Sequence, residues 1–116
     1  MVARTVLIVD DHAGFRRQAK RALEAEGYRV IGEAPSGAAG IEAAARLAPE
    51  VVLLDVHLPD ASGFDIVSRL GSRAVVLIST RGAQEYAELI GSSGARGFVP
   101  KDQLCRATLE PLLGEA

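Results

Sequence analysis

Val51-Val-Leu-Leu54, followed by Asp55, is the stretch that decides the fold. Its four residues are all apolar, with none of the alternation expected of a strand that shows one face to water, so it reads as a strand buried on both faces. Working outward, Val6-Leu-Ile-Val9 and Val75-Val-Leu-Ile78 have the same character, Gly97-Phe-Val99 is a weaker version, and the more polar Tyr28-Arg-Val-Ile31 reads as an edge strand. The intervening segments carry helical period. Phe15, Ala19, Ala22 and Leu23 share one face of the first, whose other face carries Arg16, Arg17, Lys20, Arg21 and Glu24. Further helices are predicted over 37–47, 63–70, 84–90 and 103–113, the last with Cys105, Thr108, Leu109 and Leu112 on one stripe. Gly27, Gly71, Gly91 and Gly94 are placed as helix stops, and Pro49 closes the second helix. Strand and helix alternate five times, which predicts an α/β fold: a doubly wound parallel sheet with right-handed crossovers, filling residues 1–116 as a single domain.

Composition narrows the function. The chain has 116 residues, 48% apolar and 24% charged, with a net charge of -2. The longest apolar run, Ala74–Ile78, is far short of the roughly 18 residues that cross a bilayer. The apolar stretch after Arg4 stops at Asp10-Asp11, unlike a secretory signal, so a cytoplasmic location and no membrane partner are expected. A lone Cys105 excludes an internal disulfide and a cysteine-based zinc site, and the near-neutral charge gives no reason to expect direct nucleic-acid binding. Of 13 cationic residues only Lys20 and Lys101 are lysines.

Ligands of open parallel sheets bind beyond the carboxyl ends of the strands. Those ends carry Asp10-Asp11, Asp55 and Ser79-Thr80, with Lys101 after the last strand. Brought to one edge, three carboxylates repel unless a proton or cation intervenes, and a small all-oxygen set suits a magnesium ion, Mg²⁺, that takes its remaining ligands from water and a phosphoryl group. Aspartate can itself accept a phosphoryl group as an acyl phosphate.

The segments Val9-Asp-Asp-His-Ala-Gly-Phe-Arg16, Leu54-Asp-Val-His-Leu-Pro-Asp-Ala-Ser-Gly63 and Gly94-Ala-Arg-Gly-Phe-Val-Pro-Lys-Asp102 resemble the signature regions of response-regulator receiver domains. Asp10, Asp11, Asp55, Pro59, Gly63, Ser79 and Lys101 match the family pattern. The resemblance implies the flavodoxin-like strand order 2-1-3-4-5, an order for which a receiver protein is itself a standard example. It also implies that Asp55 accepts the phosphoryl group from a sensor histidine kinase or a histidine phosphotransfer protein. Mg²⁺ would be held by Asp11, Asp55 and the backbone carbonyl of His57, with Asp10 acting through a water. Charge on the transferred oxygens would be met by the ion and Lys101; Ser79 would then bind the phosphoryl group and Phe98 would follow inward, switching the face of the fourth helix, fifth strand and fifth helix. His57 and Arg81, two positions past Asp55 and Ser79, would set the phosphoryl lifetime, and a homodimer through the switched face is compatible with the pattern. Two residues depart from the family: Thr80 is larger than the small residue usual after Ser79, and Pro100 precedes Lys101 where many relatives have a proline after the lysine. The contexts of Asp10 and Lys101 lean toward receivers of regulators with a helix-turn-helix output.

Each residue alone also has a plain structural reading. Asp11 could cap the first helix, Lys101 could be a solvated charge, Ser79 and Thr80 a loop start, Phe98 and Cys105 core, and the side chains of His12 and His57 exposed and non-ligating. The joint spacing is what argues otherwise. A nucleotide or flavin binder would want a phosphate loop after the first strand, where two aspartates stand, and an aspartyl phosphatase would want Asp, not His, at position 57. The alternative is a phosphate-independent interaction module, disfavoured because three unneutralised carboxylates would be costly.

Overall fold

The computed structural model describes residues 3–80 and 86–114. The strands β1 (Thr5–Val9), β2 (Arg29–Ala34), β3 (Val51–Asp55), β4 (Ala74–Ser79) and β5 (Gly97–Pro100) alternate with the helices α1 (Ala13–Ala25), α2 (Gly37–Leu47), α3 (Gly63–Ile66), α4 (Ala87–Ser93) and α5 (Arg106–Leu113). The strands form one parallel sheet in the order β2-β1-β3-β4-β5, the order the resemblance implied.

The missing alternation in the central strands has a direct cause. Leu7, Val9, Val52, Leu54, Val75 and Leu77 face a core completed by α2 and α3, while Val6, Ile8, Val51, Leu53, Val76 and Ile78 face the opposite one, closed by Ala19 and Leu23 of α1 and Leu109 and Leu113 of α5. Side chains still alternate by face, but both faces are dry. On the α2 side the layers approach closely: a Cβ on Gly40 would stand 2.8 Å from Val9 Cγ1, so glycine lets α2 lie against β1.

Several boundaries differ from expectation. β2 continues to Ala34 because its backbone keeps pairing with β1 through Gly32 and Glu33, whatever their side chains. α3 is a single turn, continued by a 3-10 turn over Val67–Leu70. Gly91 lies inside α4, and Gly94, at φ 87°, ends it. Positions 84 and 85 of the predicted fourth helix lie outside the described residues. The segment after β5 is a 3-10 turn over Lys101–Gln103, and Cys105 is the N-cap of α5, not a core residue of its apolar stripe. α2 ends on Ala48, a non-glycine residue at φ 49°, directly before Pro49.

At the pole where the strands begin, Arg4 Nη2 donates to the carbonyl of Gly114 at 2.8 Å, and Arg4 also pairs with Glu110 of α5. Tyr28 donates its hydroxyl to the same Glu110, and burial together with that carboxylate pushes the phenol well above its ordinary pKa. No helix among the described residues is long and apolar enough to cross a membrane.

Candidate functional site

The site lies at the opposite pole, where β1, β3 and β4 end side by side. Asp10 follows β1 and is wholly buried. Its N–H donates to the Ala34 carbonyl at 2.9 Å, its carbonyl accepts from Arg16, and its Oδ1 accepts the His12 N–H at 2.8 Å. These bonds leave Oδ2 buried with no aligned hydrogen bond, facing Lys101. Asp11 turns outward. It does not cap α1; His12 occupies that position, without a side-chain cap.

Asp55 ends β3 and is 3% exposed. Its Oδ1 accepts the His57 N–H at 3.1 Å and its Oδ2 lies 3.2 Å from Lys101 Nζ. The loop after it folds back tightly, with Gly63 N–H donating to the Val56 carbonyl at 2.8 Å and His57 bridging to Ser62. Gly63 is required by space: a Cβ there would overlap the Asp55 carbonyl and lie 3.0 Å from Val56 Cα. Gly63 thus lies directly against the backbone that aims Asp55.

Lys101 reaches across two strand spacings to Asp55 of β3 and three to Asp10 after β1. Nζ is 2.6 Å from Asp10 Oδ2 and 4.7 Å from the centroid of the Phe15 ring, a cation–π contact. Burial pushes the Asp55 carboxyl above its ordinary pKa; the His57 N–H works against that, the Asp10 charge adds to it and Lys101 opposes it. For Lys101, burial alone would lower the pKa, but Asp10 and Asp55 more than offset this and raise it. Lys101 thus supplies one positive charge to two of the three carboxylates, which reduces but does not remove the cost that the sequence argument sets against a phosphate-independent module.

Asp10, Asp11, His12 and Asp55 each offer a ligand atom within 4.8 Å of the others. Three of the four are hard carboxylate oxygens, and Asp10 brings the buried Oδ2 described above, so the set fits a small hard divalent cation. His12 was read as a bystander, yet its Nδ1 is 3.2 Å from both Asp10 Oδ1 and Asp11 Oδ1. Beside the acids an open cavity of about 700 Å³ is lined by His12, Phe15, Gln18, Thr80, Lys101 and Leu104.

Ser79 is buried at the end of β4, opposite Pro100 and one residue past Ile78, the β4 partner of Asp55. Phe98 is half-buried against the α2–α3 core. Arg81 lies outside the described residues. The His57 ring points to Tyr86, with Nε2 2.7 Å from the hydroxyl. Tyr86 and Phe15 were not singled out as site residues, because nothing in their spacing distinguishes them from core aromatics.

The family model of the response regulator receiver domain matches residues 6–110. The virulence-factor positive transcription regulator BvgA of Bordetella pertussis is 34% identical over 102 residues, covering 84% of this chain and 49% of that protein. The chain thus spans about half the length of the curated relatives it matches. Among solved structures, the signal receiver domain of the response regulator NarL from Mycobacterium tuberculosis superposes with a TM-score of 0.87 at 31% identity, covering 99% of this chain and all of that one. A chain of the CheX-CheY-BeF3-Mg+2 complex from Borrelia burgdorferi gives a TM-score of 0.81 at 25% identity, over 95% of this chain and 86% of that one.

Proposed function

This chain belongs to the response regulator receiver domain family, and on that premise we propose that Asp55 is the residue that takes the phosphoryl group. The observation that carries the reading is Lys101 Nζ, held 2.6 Å from Asp10 and 3.2 Å from Asp55 where the strands end. The donor is a phosphohistidine of a sensor histidine kinase or a histidine phosphotransfer protein. A carboxylate oxygen of Asp55 bonds to phosphorus as the phosphorus–nitrogen bond of the donor breaks, its electron pair leaving on the imidazole nitrogen. Lys101 meets the charge on the transferred oxygens, a role its raised pKa supports by keeping it protonated. Asp11, Asp55 and the His57 carbonyl would hold Mg²⁺, with Asp10 acting through a water, and the ion would supply further positive charge to the phosphoryl oxygens. A magnesium ion named in the Borrelia complex, a relative of the same fold, supports that choice.

Ser79 then donates its hydroxyl hydrogen bond to a phosphoryl oxygen and Phe98 adjusts beside it, changing the face formed by α4, β5 and α5 for a partner, with a second copy of the chain as one such partner. His57 and Arg81 flank the approach of water and set the lifetime of the acyl phosphate. Transcription regulators among the relatives support a role as the receiver of such a regulator, in the cytoplasm.

The test is intact-protein mass after incubation with acetyl phosphate, with and without Mg²⁺, beside Asp55→Asn. A metal-dependent, hydroxylamine-labile adduct missing from the variant is expected. An adduct of equal yield on Asp55→Asn would refute the assignment, and the absence of any adduct would favour the phosphate-independent module.

A further inference from the structure

We propose that Tyr86 is a positioning residue that couples the state of Asp55 to α4 through the side chain of His57. The proposal rests on Asp55 being the acceptor. His57 is bonded at both ends: its backbone N–H donates to Asp55 Oδ1 at 3.1 Å, and its ring Nε2 shares a hydrogen bond of 2.7 Å with the Tyr86 hydroxyl. Tyr86 immediately precedes α4, as its N-cap residue, and is only 9% exposed. Its ring packs against Phe64 of α3 at 5.5 Å, Phe98 of β5 at 6.1 Å and His57 at 5.9 Å between centroids. One short path therefore runs from a carboxylate oxygen of Asp55, through one residue, to the start of α4 and to the aromatic of β5.

The chemistry gives that path a direction. On transfer, one carboxylate oxygen of Asp55 becomes the bridging oxygen of the acyl phosphate and a dianionic group stands beside it, so the acceptor that now holds the His57 N–H changes in charge and place. A change at that amide is a change in the peptide that carries the imidazole. The Tyr86 phenol is buried enough to need a hydrogen-bond partner, and His57 is the one it has among the described residues. It must follow the imidazole or exchange it for another partner, and either response alters the contacts that seat Phe98 and the first turn of α4. Packed interfaces of this kind change between discrete arrangements, not by continuous yielding.

The chain holds two tyrosines, so uniform labelling with 3-fluorotyrosine gives two 19F resonances. Tyr28, at the pole where the strands begin, serves as the internal control, and Tyr28→Phe and Tyr86→Phe each assign the pair should one variant fail to fold. The labelled full chain is phosphorylated with acetyl phosphate and Mg²⁺, and the extent is read by mass. The expected result is a shift of the Tyr86 resonance that grows with the fraction phosphorylated, a fixed Tyr28 resonance, and loss of the shift in His57→Ala. Full phosphorylation with a stationary Tyr86 resonance would overturn the coupling while leaving Asp55 as acceptor. A shift that persists unchanged in His57→Ala would overturn the route through His57. Failure to form any adduct would refute the Asp55 reading and this proposal with it.

Discussion

Lys101 stands closer to Asp10 than to Asp55, with Nζ–Oδ2 separations of 2.6 and 3.2 Å. Asp10 is wholly buried and the lysine side chain 9% exposed, so the pair is an internal one, and removing its cation leaves a buried carboxylate without its counter-charge. Lys101→Met is expected to lower unfolding free energy by roughly 3 kcal/mol, the low end of the cost of breaking a buried ion pair. Mg²⁺ is expected to restore part of that loss, because a ligand bound only by the folded state stabilises it. Urea denaturation of both proteins with and without the metal measures both effects; equal midpoints for variant and parent would refute the assignment of Lys101 as the internal counter-charge.

Gly63 makes a second prediction at the same acid. The atoms a Cβ would meet there are backbone, which cannot swing aside as a side chain can. Gly63→Ala is expected to cost about 1–3 kcal/mol, as overpacking does, and to slow phosphorylation of Asp55 by displacing its carbonyl. Chemical denaturation and the rate of adduct formation check the two halves.

Asp60 links the site loop to α2. Its carboxylate accepts the Ala38 N–H at 2.9 Å and the Gly37 N–H at 2.8 Å, and those two bonds hold its pKa below the ordinary aspartate value. A carboxyl whose folded pKa is depressed contributes stability that is fully present above the unfolded pKa of about 3.9 and is lost as pH falls through the folded value. Asp60→Asn is therefore expected to be less stable than the parent at neutral pH, with the difference narrowing below pH about 4. Denaturation midpoints at pH 7 and at successively more acidic values test this; a gap independent of pH would assign the effect to packing alone.

Ala48 carries left-handed backbone where glycine is the usual occupant. Ala48→Gly is expected to raise stability by roughly 0.5–1 kcal/mol, the relief of the Cβ strain less the entropy glycine gains when unfolded. Thermal denaturation reads the sign.

The buried strands and the strand-end acids were legible because both are local in the chain. An unbroken apolar run needs two covered faces, and an aspartate closing such a run is hard to explain as structure alone. The reach of Lys101 followed once the strand order was supplied by resemblance, which periodicity alone left open. What sequence could not carry was contact between elements far apart in it. His57 meets Tyr86 across 29 positions of sequence, with Phe64 of α3 packed on the same tyrosine, and no spacing records that. Cys105 shows the same limit at short range: a residue on the stripe of a predicted helix became its N-cap when the segment 101–103 formed a separate turn. The extent of β2 was missed because an edge strand is held by backbone pairing, to which Gly32 and Glu33 contribute as fully as any valine.

The bond from Arg4 to the Gly114 carbonyl makes the path of the chain almost a closed ring, its two described ends touching at the pole away from Asp55. A ring has no privileged starting point. Sealing that junction with a short bridge and opening the chain at the exposed Gly71-Ser72 turn would give a circular permutant in which α3 and β4 fall at opposite ends of the polypeptide while every strand neighbour is retained. Asp10, Asp55 and Lys101 would be synthesised in a new order and still converge, because their meeting depends on the sheet and not on the sequence in which the ribosome delivers them.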